Sequence, residues 1–153
     1  MKKLLLVLIA VIGLSFAANA QNALGVRLGG GQGYGAELSY QQGIGGMNRL
    51  EFDLGWYNNE NVSHLGLAAI YQLHFDIAPV PNLGWYVGAG GRVDLYTYAG
   101  TDVALGLVGQ AGLDYYFQAV PLQLSLDIRP CFYLYPSTNF HWGDIALGIR
   151  YVF

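Results

Sequence analysis

The chain has 153 residues, of which 54% are hydrophobic and only 11% are charged, and its formal net charge is −3. This balance argues against nucleic acid as a partner, because phosphate binding requires clustered Lys and Arg side chains. The single cysteine, Cys131, excludes an internal disulfide and is better explained as a small interior side chain than as a reactive thiol.

Residues 1–20 have the features of a cleaved secretory signal peptide. Lys2 and Lys3 form a positive start, residues 4–16 are apolar, and Ala18-Asn19-Ala20 fits a small-x-small cleavage site. A membrane helix is the alternative, but the apolar run is shorter than the ~20 residues that such a helix needs. We therefore expect one mature domain over residues 21–153, with five arginines, ten carboxylates and a formal charge of 5 − 10 = −5.

The mature domain divides into eight predicted strands, separated by breaks rich in Gly, Pro, Asn and Asp. Apolar and polar residues alternate within each segment, which is the period of a strand, whose successive side chains point to opposite faces. The predicted strands are 23–30, 34–41, 48–57, 64–76, 83–96, 103–117, 122–134 and 143–153. Sequential strands with short links predict an all-β, up-and-down antiparallel barrel.

The two faces of these strands differ in charge. No charged residue interrupts the apolar face, whereas the other face carries all five arginines of the domain and eight of its ten carboxylates. The charged residues on that face are Arg27, Glu37, Arg49, Glu51, Asp53, Asp76, Arg92, Asp94, Asp114, Asp127, Arg129, Asp144 and Arg150. The two remaining carboxylates, Glu60 and Asp102, lie in breaks.

Several features favour a transmembrane barrel whose apolar face contacts lipid and whose charged face lines the lumen. The charged face is rich in Gly, which suits a narrow interior, and the domain lacks the Lys residues that a water-exposed face normally carries. Aromatic residues on the apolar face gather at the strand ends, where the two interfaces of a bilayer favour amphipathic rings. The predicted aromatic girdle comprises Tyr40, Phe75, Trp85, Tyr115, Phe117, Tyr151 and Phe153 at one end and Tyr34, Trp56 and Phe132 at the other.

The charges of the lumen are expected to pair, because an eight-stranded barrel is only wide enough for its side chains to fill. Guanidinium groups bind carboxylates bidentately and stay charged, so Arg suits this role. Five residues at similar heights on neighbouring strands are predicted to form one network: Arg27, Glu37, Arg49, Glu51 and Asp53.

The sequence predicts other partners for three arginines nearer the end of the chain. Arg150 is predicted to reach Asp114 or Asp127 across the lumen. Higher in the barrel, Arg92 and Arg129 are predicted to face Asp94 and Asp76.

Other site hypotheses have weaker support. His64, His74 and His141 lack the spacing of metal ligands, so neither a metal site nor a cofactor is predicted. The glycine-rich segment 29–35 precedes no helix that could bind phosphate and is interpreted as a hairpin turn. A hydrolase-like grouping at the outer rim has no geometric support from the sequence. Its members would be Ser63, His64, Ser137, His141 and Asp144.

The mature chain resembles the small bacterial outer-membrane β-barrels of the OmpA/OmpX-like family. The likeness is clearest in segments 112–117, 128–130, 140–144 and 149–153, and in the aromatic Phe153 directly after an alternating strand. The resemblance implies an integral outer-membrane barrel in contact with lipid and lipopolysaccharide, with both termini periplasmic. It also implies insertion by the secretion and barrel-assembly machinery, with Tyr151 and Phe153 as the C-terminal insertion signal.

The resemblance implies no single activity, because members of this family act as structural anchors, adhesins, surface-defence proteins or small pores. Paired lumenal charges favour a non-enzymatic barrel that contributes to envelope integrity and whose lumen is plugged. A small ion- or solute-conducting pore is the alternative. A lipid A-modifying enzyme is a third hypothesis, although the deacylase pattern of a His and a Ser two residues apart is absent at His141. No extracellular ligand is predicted.

Overall fold

In the computed structural model, the alternating segments form eight antiparallel strands. The structure describes residues 22–29, 35–58, 63–97 and 100–153, apart from the side chains of Tyr57 and Asp144. The predicted signal peptide and the predicted girdle residue Tyr34 lie outside this part of the chain. The strands are β1 (Asn22–Gly29), β2 (Ala36–Gly43), β3 (Arg49–Asn58), β4 (Ser63–Asp76), β5 (Leu83–Thr97), β6 (Thr101–Tyr116), β7 (Leu122–Tyr135) and β8 (Asn139–Val152).

The sheet closes into a barrel because β8 pairs with β1 and every other strand pairs with its neighbours in sequence. Backbone hydrogen bonds join the two ends of the sheet: Asn22 N donates to Phe153 O at 3.1 Å, and Phe153 N donates to Asn22 O at 2.9 Å. Because the sheet closes on itself, the barrel has no edge strand. The prediction of an all-β, eight-stranded, up-and-down antiparallel barrel is confirmed. Within the described ranges, no helix is long and apolar enough to cross a membrane.

The largest boundary difference lies in β8, which begins at Asn139 rather than at the predicted Gly143. Gly143 has a φ of 82°, and the register between β7 and β8 shifts between Arg129 and Cys131. A bulge of this kind adds a residue to one strand and interrupts the period of two. Alternation alone therefore placed the start of β8 too late, while the other strand ends differ from prediction by two residues or fewer.

The charged face of the strands lies inside the barrel and the apolar face lies outside. Arg27 and Arg150 are almost completely buried, whereas Leu107 and Leu126 are 58% and 52% exposed. Soluble proteins show the opposite arrangement, in which Arg is almost never fully buried and large apolar side chains avoid water. The outer wall of this barrel is therefore apolar and its interior is ionic.

Candidate functional site

The carboxylate of Glu51, on β3, is the centre of a hydrogen-bond network that fills the interior. Arg129 on β7 contacts it from Nη2 to Oε1 at 2.7 Å, and Arg150 on β8 contacts it from Nη2 to Oε2 at 2.9 Å. Glu51 is fully buried, and a buried carboxylate requires such partners to compensate for its lost hydration. Two guanidinium groups on adjacent strands provide that compensation.

Three glutamine side chains complete the environment of Glu51. Gln41 and Gln72 donate to Oε2 at 2.6 and 3.0 Å, and Gln110 donates to Oε1 at 2.9 Å. Because these amides lie on β2, β4 and β6, the carboxylate connects six of the eight strands. The sequence did not predict that any of the three would contact Glu51. The available signal was their place on the charged face, where Gln41 is the direct cross-strand partner of Glu51.

A second group of ion pairs surrounds Glu37 on β2. Arg27 Nη1 and Arg129 Nη1 contact Glu37 Oε2 at 3.1 and 3.2 Å. Arg27 Nη2 also contacts Asp127 Oδ1 at 2.7 Å, and Arg129 Nη2 contacts Asp53 Oδ2 at 2.8 Å. Since Arg129 contacts the central carboxylate as well, the two groups form one continuous network.

Two further ion pairs lie nearer the ends of the barrel. Arg92 Nε contacts Asp94 Oδ2 at 2.8 Å in the half of the barrel away from the chain ends Asn22 and Phe153. Arg49 Nη1 contacts Asp114 Oδ2 at 3.4 Å in the half that contains those ends. We call the end of the barrel that contains Asn22 and Phe153 the termini end, and the opposite end the distal end.

Arg150 does not contact the partners predicted for it. Its carboxylate partner is Glu51, rather than Asp114 or Asp127. Neighbouring strands of a closed barrel are tilted and staggered, so residues at equal distances from their strand ends lie at different heights. The sequence does not reveal this stagger, and the predicted partner was therefore wrong.

Three other predicted placements also need correction, for the same physical reason. Arg129 contacts the carboxylates in the middle of the barrel rather than Asp94. Arg49 lies apart from the network predicted for it and pairs with Asp114 instead. Asp76 is exposed at the end of β4 and makes no ion pair with the described residues. The side chain of Asp144, also predicted to line the lumen, lies outside the described part of the chain.

One side of the interior is apolar, which the sequence did not predict. The buried side chains there come from β4, β6 and β7 and are Ala68, Ile70, Ala104, Val108, Cys131 and Tyr133. Glycines make room for large neighbours: a Cβ on Gly88 would lie 2.9 Å from Ile70 Cγ2, and a Cβ on Gly112 would lie 2.7 Å from the ring of Tyr86. Ionic and apolar groups together thus pack the lumen.

Two members of the hydrolase-like grouping, Ser63 and His64, have contacts to other residues. Ser63 Oγ donates to Asn58 Oδ1 at 2.7 Å. His64 Nε2 instead contacts Asp94 Oδ1 at 3.1 Å, and its ring stacks on Tyr96 with the centroids 4.0 Å apart. A serine nucleophile needs a base within hydrogen-bond reach. In the described ranges, no group of three His, Cys, Asp or Glu side chains could hold a metal ion.

Aromatic rings lie on the outer surface near the termini end. Phe75 stacks on Trp85 with centroids 4.6 Å apart, and Tyr151 stacks on Phe153 at 6.4 Å. Further rings at this end come from Tyr40, Tyr115 and Phe117. Stacked pairs in adjacent positions form a band of rings around this part of the wall.

At the distal end, the outer surface carries two aromatic residues that were not predicted. Trp142 is 78% exposed, and its ring meets that of Phe140 edge to face with centroids 5.3 Å apart. The predicted residues Trp56 and Phe132 are exposed at the same end. Trp142 and Phe140 were missed because they precede the predicted start of β8.

Comparison with known proteins identifies the fold but no family. No family model matches the chain, and no curated protein matches it. Among solved structures, it is similar to the N-terminal β-barrel domain of Pseudomonas aeruginosa OprF. That match has 18% identity and a TM-score of 0.66, over 88% of this chain and 100% of that one.

Two further solved structures are similar over most of their length. Neisserial surface protein A (NspA) matches at 17% identity and a TM-score of 0.60, over 88% of this chain and 96% of that one. A structure described as a de novo design of transmembrane β-barrels matches at 18% identity and a TM-score of 0.54, over 87% and 95% of the two chains. The chain therefore has the closed eight-stranded fold of the OmpA/OmpX-like barrels.

Proposed function

We propose that this chain is an integral barrel of the bacterial outer membrane that acts without enzymatic activity and contributes to envelope structure. The exposed apolar wall supports a lipid environment, because charged residues on the lipid face of such barrels are destabilising by about 2–4 kcal/mol at the midplane. Each described arginine points inward and contacts a carboxylate. The apolar face thus lies outside and the charged face inside, which is the arrangement that a bilayer favours.

The observation that carries the proposal of a plugged lumen is the environment of Glu51. Side chains from five other strands converge on this one carboxylate in the middle of the barrel. Opposed charges that contact each other at 2.7–2.9 Å leave no room for a hydrated ion between them. The apolar cluster around Ile70 fills the interior beside the network.

Conductance across a planar lipid bilayer tests this proposal. We expect purified protein to give no steady current at moderate voltage, as with a protein-free bilayer. A known porin reconstituted in the same way shows that insertion can be detected. Steady, ion-selective openings from this protein would contradict the plugged lumen and favour the alternative of a small pore.

The links between strands support a structural role rather than surface binding. At the distal end, the described strands are separated in sequence by six residues or fewer in each case. Long outer loops are the usual carriers of binding residues on rigid barrels. The hydrogen bond from Ser63 to Asn58, rather than to His64, supports a non-enzymatic role.

The proposal includes an orientation and a route of assembly. An even number of strands puts Asn22 and Phe153 at the same end, and a signal peptide ahead of residue 21 would place that end in the periplasm. Both aromatic bands would then lie at the bilayer interfaces, in contact with lipid and lipopolysaccharide. Tyr151 and Phe153 would serve the barrel-assembly machinery as the insertion signal.

A further inference from the structure

A cavity of about 1060 Å³ opens at the termini end of the barrel. Its walls are formed by the turns that join β2 to β3, β4 to β5 and β6 to β7, and its lining includes Arg49, Asp114 and Tyr116. We call this cavity the vestibule. Pockets that bind small molecules usually have volumes of about 300–1,000 Å³, so the vestibule has room for such a ligand. Glu51 does not line it.

Arg49 is bound more loosely than the arginines of the central network. Its side-chain hydrogen bonds within the described ranges both leave from Nη1 and are long, at 3.4 Å to Asp114 Oδ2 and 3.5 Å to Gln41 Oε1. The guanidinium carbon lies 4.9 Å from the centre of the Tyr116 ring. The Nε and Nη2 edge of Arg49 is therefore the part of the group that a ligand in the vestibule can use.

Buried polar atoms without a protein partner gather around the same place. Within the described part of the chain they include Tyr116 Oη, Gln123 Oε1 and His74 Nδ1. Gln123 donates from its amide to Asp114 Oδ2 at 3.1 Å, and His74 Nε2 lies 3.4 Å from that oxygen. Buried polar atoms in proteins are nearly always hydrogen bonded. Of these residues, Tyr116 lines the vestibule, and its unpartnered hydroxyl therefore indicates a place for a polar ligand.

The opening of the vestibule is apolar. Met47, Val80 and Val120 lie on three different turns around it and are 42%, 44% and 50% exposed. A ligand with one end at Arg49 would therefore contact these aliphatic side chains with its other end.

We propose that the vestibule binds a small monocarboxylate with an aliphatic body. A carboxylate can accept two parallel hydrogen bonds from the Nε and Nη2 edge of Arg49, and the Tyr116 hydroxyl can donate a third. A singly charged group fits better than a doubly charged phosphate, because Asp114 already contacts Arg49 and Asp76 lines the wall. The aliphatic body packs against the apolar opening.

Nuclear magnetic resonance on the full protein in lipid nanodiscs tests the proposal, with hexanoate as the probe. We expect a saturable shift of the Arg49 Nε–Hε signal and of backbone signals in the three turns. Hexanol, which lacks the charge, should bind at least about tenfold more weakly, as expected for loss of a charged hydrogen bond. Hexyl phosphate should also bind more weakly than hexanoate.

Two variants separate binding from folding. Arg49→Gln should weaken hexanoate binding by about tenfold or more. Tyr116→Phe removes only a hydroxyl that has no partner in the described ranges, so the barrel should fold normally while affinity falls a few-fold. Ser137→Ala, at the distal end, should leave binding unchanged.

Four results would overturn the proposal. These are a shift that rises linearly without saturation, equal binding of hexanol, tighter binding of hexyl phosphate, and unchanged hexanoate affinity in Tyr116→Phe. None of these results bears on whether the central lumen is plugged, so the two proposals can fail independently.

Discussion

The two arginines that contact Glu51 depend on it to different degrees. Arg129 also contacts Glu37 and Asp53, so it keeps two carboxylate partners if Glu51 is lost. Arg150 has Glu51 as its only ion-pair partner in the described ranges, and its other side-chain hydrogen bonds go to the hydroxyls of Ser39 and Ser125. Hydroxyl groups hydrogen bond to a guanidinium but do not neutralise it. Arg150 is therefore the group that would be left as a buried, uncompensated charge.

Replacement of Glu51 by glutamine tests this dependence with little change in side-chain size. We expect Glu51→Gln to lower the free energy of unfolding by about 3–5 kcal/mol, which is typical for removal of one partner of a buried ion pair. Equilibrium urea unfolding in lipid vesicles measures the change. The control is Asp76→Asn, which neutralises an exposed carboxylate without an ion pair in the described ranges and should change stability by less than about 0.5 kcal/mol. Similar effects of the two substitutions would show that the Glu51 network contributes little.

At the scale of residues, the sequence predicted that most of the charges lie inside, but not the partners of Arg129 and Arg150. Alternation assigns Glu51, Arg129 and Arg150 to one face, because the period of a strand is two. Their partners depend on the stagger between strands, which no local pattern encodes. Gln41 was missed because a neutral amide looks the same in the sequence whether it separates charges or binds one.

Strand β7 shows how a single element serves both surfaces of the barrel. Asp127 and Arg129 point inward and are buried, while Ile128 and Leu134 point outward and are exposed. The strand was predicted within one residue of its observed bounds, because its alternation is unbroken. The start of β8 was not, because the bulge at Gly143 interrupts the same pattern. Alternation thus predicts the bounds of a regular strand, but it predicts an irregular strand only as far as its bulge.

The outward face of β7 provides a test of lipid contact that is independent of the lumen. Ile128 lies near the middle of the strand and Leu134 near its distal end. We expect Ile128→Arg to destabilise the barrel in lipid vesicles by about 2–4 kcal/mol, and Leu134→Arg by about 0–1 kcal/mol, because the penalty for a charge falls towards the bilayer interface. Urea unfolding of both variants measures the difference. Equal penalties at the two positions would contradict a bilayer centred on this part of the wall.

For the molecule as a whole, the described strands differ in length. β1 and β2 have 8 residues each, whereas β4 to β8 have 14 to 16. Among the described residues, β1 pairs with β8 from Ala146 onwards, and the part of β8 before Ala146 pairs with β7. Trp142 and Phe140 lie on this first part of β8. The β7–β8 link follows a strand of 14 residues and lies at the distal end.

The position of this link makes the orientation of the barrel testable in intact cells. If the termini end is periplasmic, Ser137→Cys in the β7–β8 link should react with a membrane-impermeant maleimide added outside the cells. Val80→Cys, in the exposed turn between β4 and β5, should react only after the outer membrane is permeabilised. The unsubstituted protein is the control, because its single Cys131 is buried and should stay unlabelled in both conditions. Labelling of Val80→Cys but not Ser137→Cys in intact cells would reverse the proposed orientation, and with it the assignment of the vestibule to the periplasmic side.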